Sequence, residues 1–258
     1  MPPKPKEAPR VREIAADLLA QITSGELSPG EKLPSTAELA AQHEVSDKTI
    51  FRVIALLKAT GHVNSRQGKG TFVRKVQPLE WHLHTFESGQ RRDDPALGRD
   101  DWKAAVAEQG RVATQDTPRV SVVPAPADVA QWLRVKPGTH VVVRRRVRRV
   151  DGEAYQLADS WFPAKIALDT PLMFEEDVTM PGGILASTGN PQKSWRDEFM
   201  AWPPITAEEA ERLELPPDIG TPIVRHARIG FGADGEPVRV MVTVAPGHLN
   251  KFVYEGEA

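Results

Sequence analysis

The alternation of apolar and polar positions divides the chain into an N-terminal part written in helical period and a longer part written in strand period. Val11, Ile14, Ala15, Leu18, Leu19 and Ile22 recur at the spacing of one helical face and predict an amphipathic helix, which Gly25 and Pro29 in "SGELSPGEK" end. Ser35 opens a second, short helix through the capping box Ser35-x-x-Glu38, each side chain satisfying the other's free backbone amide. Ser46 caps a third helix with the stripe Ile50, Val53, Ile54 and Leu57, and Gly61 closes it. The second and third helices, joined by a tight turn, read as a helix-turn-helix whose last helix is the reading element. In "HVNSRQGKGTFVRK" two short strands then flank Gln67-Gly68-Lys69-Gly70, with Arg66, Lys69, Arg74 and Lys75 supplying positive charge.

Residues 1–76 therefore form one predicted domain. The polar, proline-containing run 77–98 sustains neither period and reads as a linker and loop. Residues 99–258 form a second predicted domain with an internal echo. "PADVAQWLRVKPGTHVVVRRRVRRVDGEAYQLADSWFPA" and "TAEEAERLELPPDIGTPIVRHARIGFGADGEPVRVMVTVAPG" share helix, Gly-Thr pair, strand, Asp-Gly-Glu turn and strand, as a duplicated unit would. Thr206-x-x-Glu209 is another capping box, and Asp151-Gly152 and Asp234-Gly235 are hairpin-turn signals. The fold class that follows is α+β: a winged helix-turn-helix before an antiparallel-sheet domain with a few helices.

On the strand 140–150, Val141, Val143 and Val147 share one face and Arg144, Arg146 and Arg148 the other. Arg228 stands in the second repeat where Arg146 stands in the first. Three converging arginines would make a fork for phosphate or carboxylate; the alternative is a solvated strand face laced with salt bridges.

Charge sharpens the division. Residues 1–76 carry twelve Lys or Arg against eight Asp or Glu, a balance of +4, and the rest carries 21 against 27, a balance of −6. A basic module on an acidic body is the pattern of a nucleic-acid binder with a second domain. The chain has no cysteine, which excludes a disulfide scaffold and thiolate metal sites and fits a cytoplasmic protein. The polar start "MPPKPKEAPR" and the lack of any run near the roughly 18 apolar residues of a membrane span support neither export nor insertion. His82-x-His84 has no nearby third ligand, so no metal is expected, and no phosphate loop, nucleophile elbow or paired catalytic carboxylates suggest a cofactor or an enzyme.

"SGELSPGEKLPSTAELAAQ", "VSDKTIFRVI" and "GKGTFV" resemble the winged-helix domain of the GntR family of bacterial transcription regulators over nearly all of residues 10–75. "RVRRVDGE", "DSWFP", "PGGILASTG" and "DGEPV" resemble the UTRA effector domain of its HutC-type members, which has the fold of chorismate lyase, over roughly residues 78–255. The resemblance implies DNA contacts from Lys32, Ser35, Thr36, Ser46, Asp47, Lys48, Thr49, Phe51, Arg52, Arg66, Lys69 and Gly70. The expected effector contacts are Arg144, Arg146, Arg148, Ser160, Glu198 and Arg228, of which the resemblance implies Arg146 and Arg148, matching the family's Arg-x-Arg, and Glu198, matching an acid on a later strand. Ala37, Asp47 and Phe51 replace three frequent family arginines, and Ala158 stands where the family often has a ligand-binding glutamate.

The expected function is a DNA-binding repressor that holds a palindromic double-stranded operator as a homodimer and answers a small, anionic effector, with no membrane partner. A lyase-like enzyme with a DNA-binding appendage and an effector-independent DNA binder are the alternatives. Asp47 carries two readings: an acid favouring the positive end of its helix, or a base-edge acceptor that selects sequence.

Overall fold

The structure is a computed structural model that describes residues 7–66, 68–74, 78–83, 86, 101–177, 184–215 and 221–255. It divides into two compact units, Met1–Pro78 with Leu215–Pro222, and Leu79–Glu214 with Ile223–Ala258.

In the first unit, α1 (Glu7–Ser24), α2 (Thr36–Gln42) and α3 (Asp47–Ala59) precede a hairpin of β1 (Val63–Arg66) and β2 (Gly70–Val73). The helical stripes meet in one core of Ile14, Leu18, Leu27, Leu33, Leu39, Ile50, Val53 and Leu57, joined by Val63 and Val73. Both caps form: Ser35 Oγ accepts from the Glu38 amide while Glu38 accepts from the Ser35 amide, and Ser46 Oγ accepts from the Thr49 amide. The hairpin pairs Val63 with Val73 and Arg66 with Gly70.

The second unit is built on a seven-stranded antiparallel sheet. Its strands are β4 (Ala113–Gln115), β5 (Arg119–Pro124), β6 (His140–Val150), β7 (Glu153–Pro163), β8 (Ser194–Met200), β9 (Ile223–Phe231) and β10 (Pro237–Pro246). They run in the order β4-β6-β7-β10-β9-β8, with β5 also paired to β6. The internal echo has a geometric counterpart: hairpins β6–β7 and β9–β10 meet edge to edge through β7 and β10. The helices cross over, α5 (Ala127–Trp132) packing on β10 and α7 (Ala207–Arg212) on β7, as a two-fold arrangement of the repeats requires. Asp151 and Gly152 both take positive φ in the tight β6–β7 turn. Asp234-Gly235 lies instead in a five-residue connection, 232–236, where Asp234 Oδ1 accepts from the Glu236 amide.

The expected linker over 77–98 holds a strand among its described residues. β3 (Leu79–His82) pairs in parallel with β11 (Asn250–Val253), and Trp81 stacks on Trp102 of α4 (Asp101–Glu108) at 6.3 Å. Its apolar positions, Leu79 and Trp81, are buried with Tyr155 and Leu249.

Because cross-strand partners share a face, the register assigns every sheet residue. One face carries Val141, Val143, Trp161, Ala227, Ile229 and Val240 under Val129, Trp132 and Leu133. The other has an apolar cluster at each end. At one end Val142 and Phe162 pack with Ile166 of α6 (Ala164–Ala167), Leu172 and Leu185; at the other Val150 and Tyr155 pack with Trp81 and Trp102. Between those clusters this face carries most of its polar groups, interspersed with Ala158, Met241 and Phe199.

Candidate functional site

On the first unit the exposed side of α3 is set by its buried stripe. Asp47, Lys48 and Arg52 are exposed and Phe51 is 62% exposed. Thr49 departs from expectation: it is 5% exposed, and its hydroxyl lies 2.9 Å from that of Ser46, turned inward to complete the cap rather than outward to a ligand. Ser35 caps α2 and Thr36, its first residue, is half-buried. In the wing, Gly70 has φ +113°, and a Cβ there would meet Lys32 Cε at 2.7 Å, so glycine lets the Lys32 stem cross the hairpin. Lys32 and Lys69 are exposed. Gln67 and Lys75 lie outside the described residues, as does the Arg66 side chain.

On the second unit the polar face is built row by row from the register. Arg144, Ser160, Met241, Arg228 and Asp197 form one row across β6, β7, β10, β9 and β8. Arg146, Ala158, Thr243, His226 and Phe199 form the next. The expected three-arginine fork is corrected by this geometry. The arginines share a face, but β6 and β9 are three strands apart, about 14 Å at ordinary strand spacing, and Arg144, Arg146 and Arg228 have separate acceptors.

Arg144 is 2% exposed and donates to the carbonyls of Leu172, Phe174 and Glu176 at 2.5, 2.6 and 2.7 Å. Burial first, then the Arg146 charge, push its guanidinium down to about 10, against Asp177. It is a structural clamp on the 172–176 segment. Arg228, 1% exposed, grips Asp197 through Nε (2.8 Å) and Nη2 (2.7 Å) and donates Nη2 to the Leu83 carbonyl at 2.7 Å. Asp197 also accepts from His226 Nε2 at 2.8 Å. Burial would raise the Asp197 carboxyl, but hydrogen bonds from Arg228 and then His226 outweigh it and hold the group at about 2. Arg228 is thereby neutralised. Arg148 lies 5.1 Å over the Trp102 ring, at the apolar end of the face. Arg146, in the middle, donates to Asp177 Oδ1 at 2.7 Å.

Glu198 is the second correction. It pairs with Ala227, so it points to the opposite face, where Trp132 Nε1 donates to it at 2.8 Å and Arg196 lies 2.7 Å away. Its neighbour Asp197 faces the arginines. Sequence reasoning missed Asp197, His226, Thr243 and Asp177. The strand period could have excluded one of two adjacent acids, but choosing which needed the β8–β9 register. His82 lies 3.5 Å from Glu255, and His84 lies outside the described residues; among the described residues no group of three His, Asp or Glu could hold a metal ion.

Comparison with known proteins agrees with this division. Residues 10–73 match the family model described as bacterial regulatory proteins, gntR family, and residues 108–249 match that of the UTRA domain. An HTH-type transcriptional regulator of Streptomyces coelicolor is 31% identical over 263 residues, covering 96% of this chain and 93% of that one. The transcriptional regulator PhnF of Escherichia coli is 29% identical over 80% of this chain and 79% of its own length. A solved structure of a GntR-family transcriptional regulator covers 98% of this chain and 99% of its own with a TM-score of 0.58 at 26% identity. PhnF from Mycobacterium smegmatis, at 22% identity and TM-score 0.56 over 95% of this chain and 99% of that one, shares the fold.

Proposed function

We propose, from the premise that this chain belongs to the GntR family of bacterial regulatory proteins and joins its DNA-binding domain to a UTRA effector domain, that it is a cytoplasmic repressor which binds a palindromic operator as a homodimer and responds to a small anionic effector. The chain is a transcriptional regulator and not an enzyme, as its domains and relatives indicate. Among the described residues no helix is long and apolar enough to cross a membrane.

One observation carries the effector reading: a cationic side chain, Arg146, stands in the polar middle of a sheet face whose two ends are sealed by apolar clusters. Such a face offers a small ligand apolar walls and a few placed polar groups. Ser160 and Thr243 belong to the same two rows and supply hydroxyls for orientation. On the DNA side, Lys32, Lys48, Arg52 and Lys69 are the exposed cations proposed to hold phosphates, with Arg66 beside them in the wing. Two-fold operators mirror two-fold proteins, which is the physical case for a homodimer.

The test is selection of bound DNA from a random pool, followed by anisotropy titrations of the full chain against the selected site with and without anionic metabolites. The reading expects a two-fold consensus, two chains per site, and release by an anion that the Arg146→Ala variant ignores while its DNA affinity stays within about twofold. An asymmetric consensus bound by one chain, or an Arg146→Ala variant that responds like the parent, would sink it.

A further inference from the structure

The candidate effector face contains a carboxylate of its own. Asp177 Oδ1 accepts from Arg146 Nη1 at 2.7 Å, with the arginine side chain 15% exposed and the aspartate 43% exposed. Asp177 is delivered from a fixed point. The Arg144 guanidinium clamps the carbonyls of Leu172, Phe174 and Glu176, and Glu175 Oε1 accepts from the Val120 amide at 3.1 Å. A carboxylate held at the end of an anchored segment, on a mostly buried guanidinium in the polar middle of the face, offers Arg146 what an anionic ligand would.

We infer that Asp177 is an internal occupant of the effector's anion site, a tethered competitor that an effector must displace and that sets the affinity an anion needs to enter. This rests on the reading of Arg146 as an effector contact. Exchanging one carboxylate for another leaves charge and acceptor type unchanged, and the tether gives Asp177 an effective concentration on the order of millimolar, so a monocarboxylate gains little by displacing it. A phosphate or phosphonate group brings close to two charges and three acceptor oxygens. The site's charge favours that exchange. Arg144 lies close enough to Arg146 for the two charges to oppose one another, so two guanidiniums face one carboxylate until a dianion replaces it. Asp177 therefore acts as a threshold: it lowers every anion's apparent affinity by the same factor, so dianions, which bind the site more strongly, still enter while monocarboxylates fall below it.

The size of the effect follows from occupancy. If the Arg146–Asp177 pair is closed about nine-tenths of the time, the apparent affinity of any competing anion falls about tenfold. The experiment is titration calorimetry of the full chain with inorganic phosphate and, separately, with acetate, at fixed ionic strength, on the parent, Asp177→Asn, Asp177→Ala and Arg146→Ala proteins. The expected result is phosphate binding about tenfold tighter in both Asp177 variants, acetate binding that the parent lacks, and neither anion bound by Arg146→Ala. Asp177 variants with the parent's affinities, variants that bind neither anion, or a parent that takes acetate as readily as phosphate would overturn the threshold. Retention of phosphate binding by Arg146→Ala would overturn the underlying assignment of Arg146 instead, whatever the Asp177 variants do.

Discussion

Asp47 and Phe51 lie one helical turn apart on the exposed side of α3, and their chemistry suits them to different partners. A carboxylate at the first helical position faces free backbone N–H groups and the positive end of the helix, worth a few tenths of a kcal/mol. Phe51, 62% exposed, leaves apolar area in water that contact with a thymine methyl would cover. Asp47→Arg is expected to tighten binding to all DNA by adding a cation, and to shift base preference towards G where it reaches an edge, by about 1–3 kcal/mol. Phe51→Ala is expected to weaken binding mainly at sites with thymine at the facing position. Selection from a randomised pool at constant salt reads both; base preferences matching the parent's in both variants would leave Asp47 as a helix-start acid and nothing more. Phe51 was legible in the sequence because a 100° step per residue places it opposite Ile50, Val53 and Leu57. Thr49 was not, since its hydroxyl turns inward to Ser46, a local choice no periodicity records. Nor could spacing choose between Asp197 and Glu198.

Among the elements, α7 shows how charge replaces apolar packing on an otherwise oily face. Arg212 holds Asp159 of β7 at 2.9 and 2.6 Å, and Glu209 holds Arg225 of β9 at 2.5 and 2.6 Å. Burial raises the Asp159 carboxyl, with Arg212 and then Arg145 acting against it. Removing Arg212 strands that carboxylate with Arg145 at 3.7 Å. Arg212→Ala is therefore expected to cost about 3 kcal/mol in urea unfolding, while the double change Arg212→Met with Asp159→Leu recovers most of it, because no buried charge is left unpaired. A single variant as stable as the parent would show that α7 is held by packing alone. The capping boxes at Ser35 and Thr206 and the β6–β7 turn at Asp151-Gly152 were legible because each is decided within four residues. β3 was not: its partner β11 is far along the chain, Glu80 and Lys251 lying 171 positions apart, so nothing local marks the stretch as a strand.

For the whole molecule, acid stability turns on Asp197, the hub that ties β8 to β9 through Arg228 and His226. Its pKa falls from an ordinary 3.8 to about 2 on folding, so its contribution is fully present above pH 3.8 and is lost as pH falls through about 2. The parent is expected to lose about 2 kcal/mol over that window beyond what Asp197→Asn loses, measured by denaturant unfolding at stepped pH; parallel curves would remove Asp197 from the account. The chain by itself determined the three helices of the first unit, its wing, the repeat and the apolar-against-cationic alternation of β6, because each follows from contacts between residues within a turn, a hairpin or a strand period. The family's motifs in "SGELSPGEKLPS" and "GKGTFV" are local in the same sense. Tertiary structure alone decided which arginine is left for the proposed site. Arg144, Arg146 and Arg228 look alike in sequence, but backbone carbonyls occupy the first and Asp197 the last. Among the described residues Arg146 is left against one surface carboxylate, Asp177, 31 residues away. A charged side chain's role depends on what neutralises it, and its partner is supplied by strand order and register, which are properties of the folded sheet.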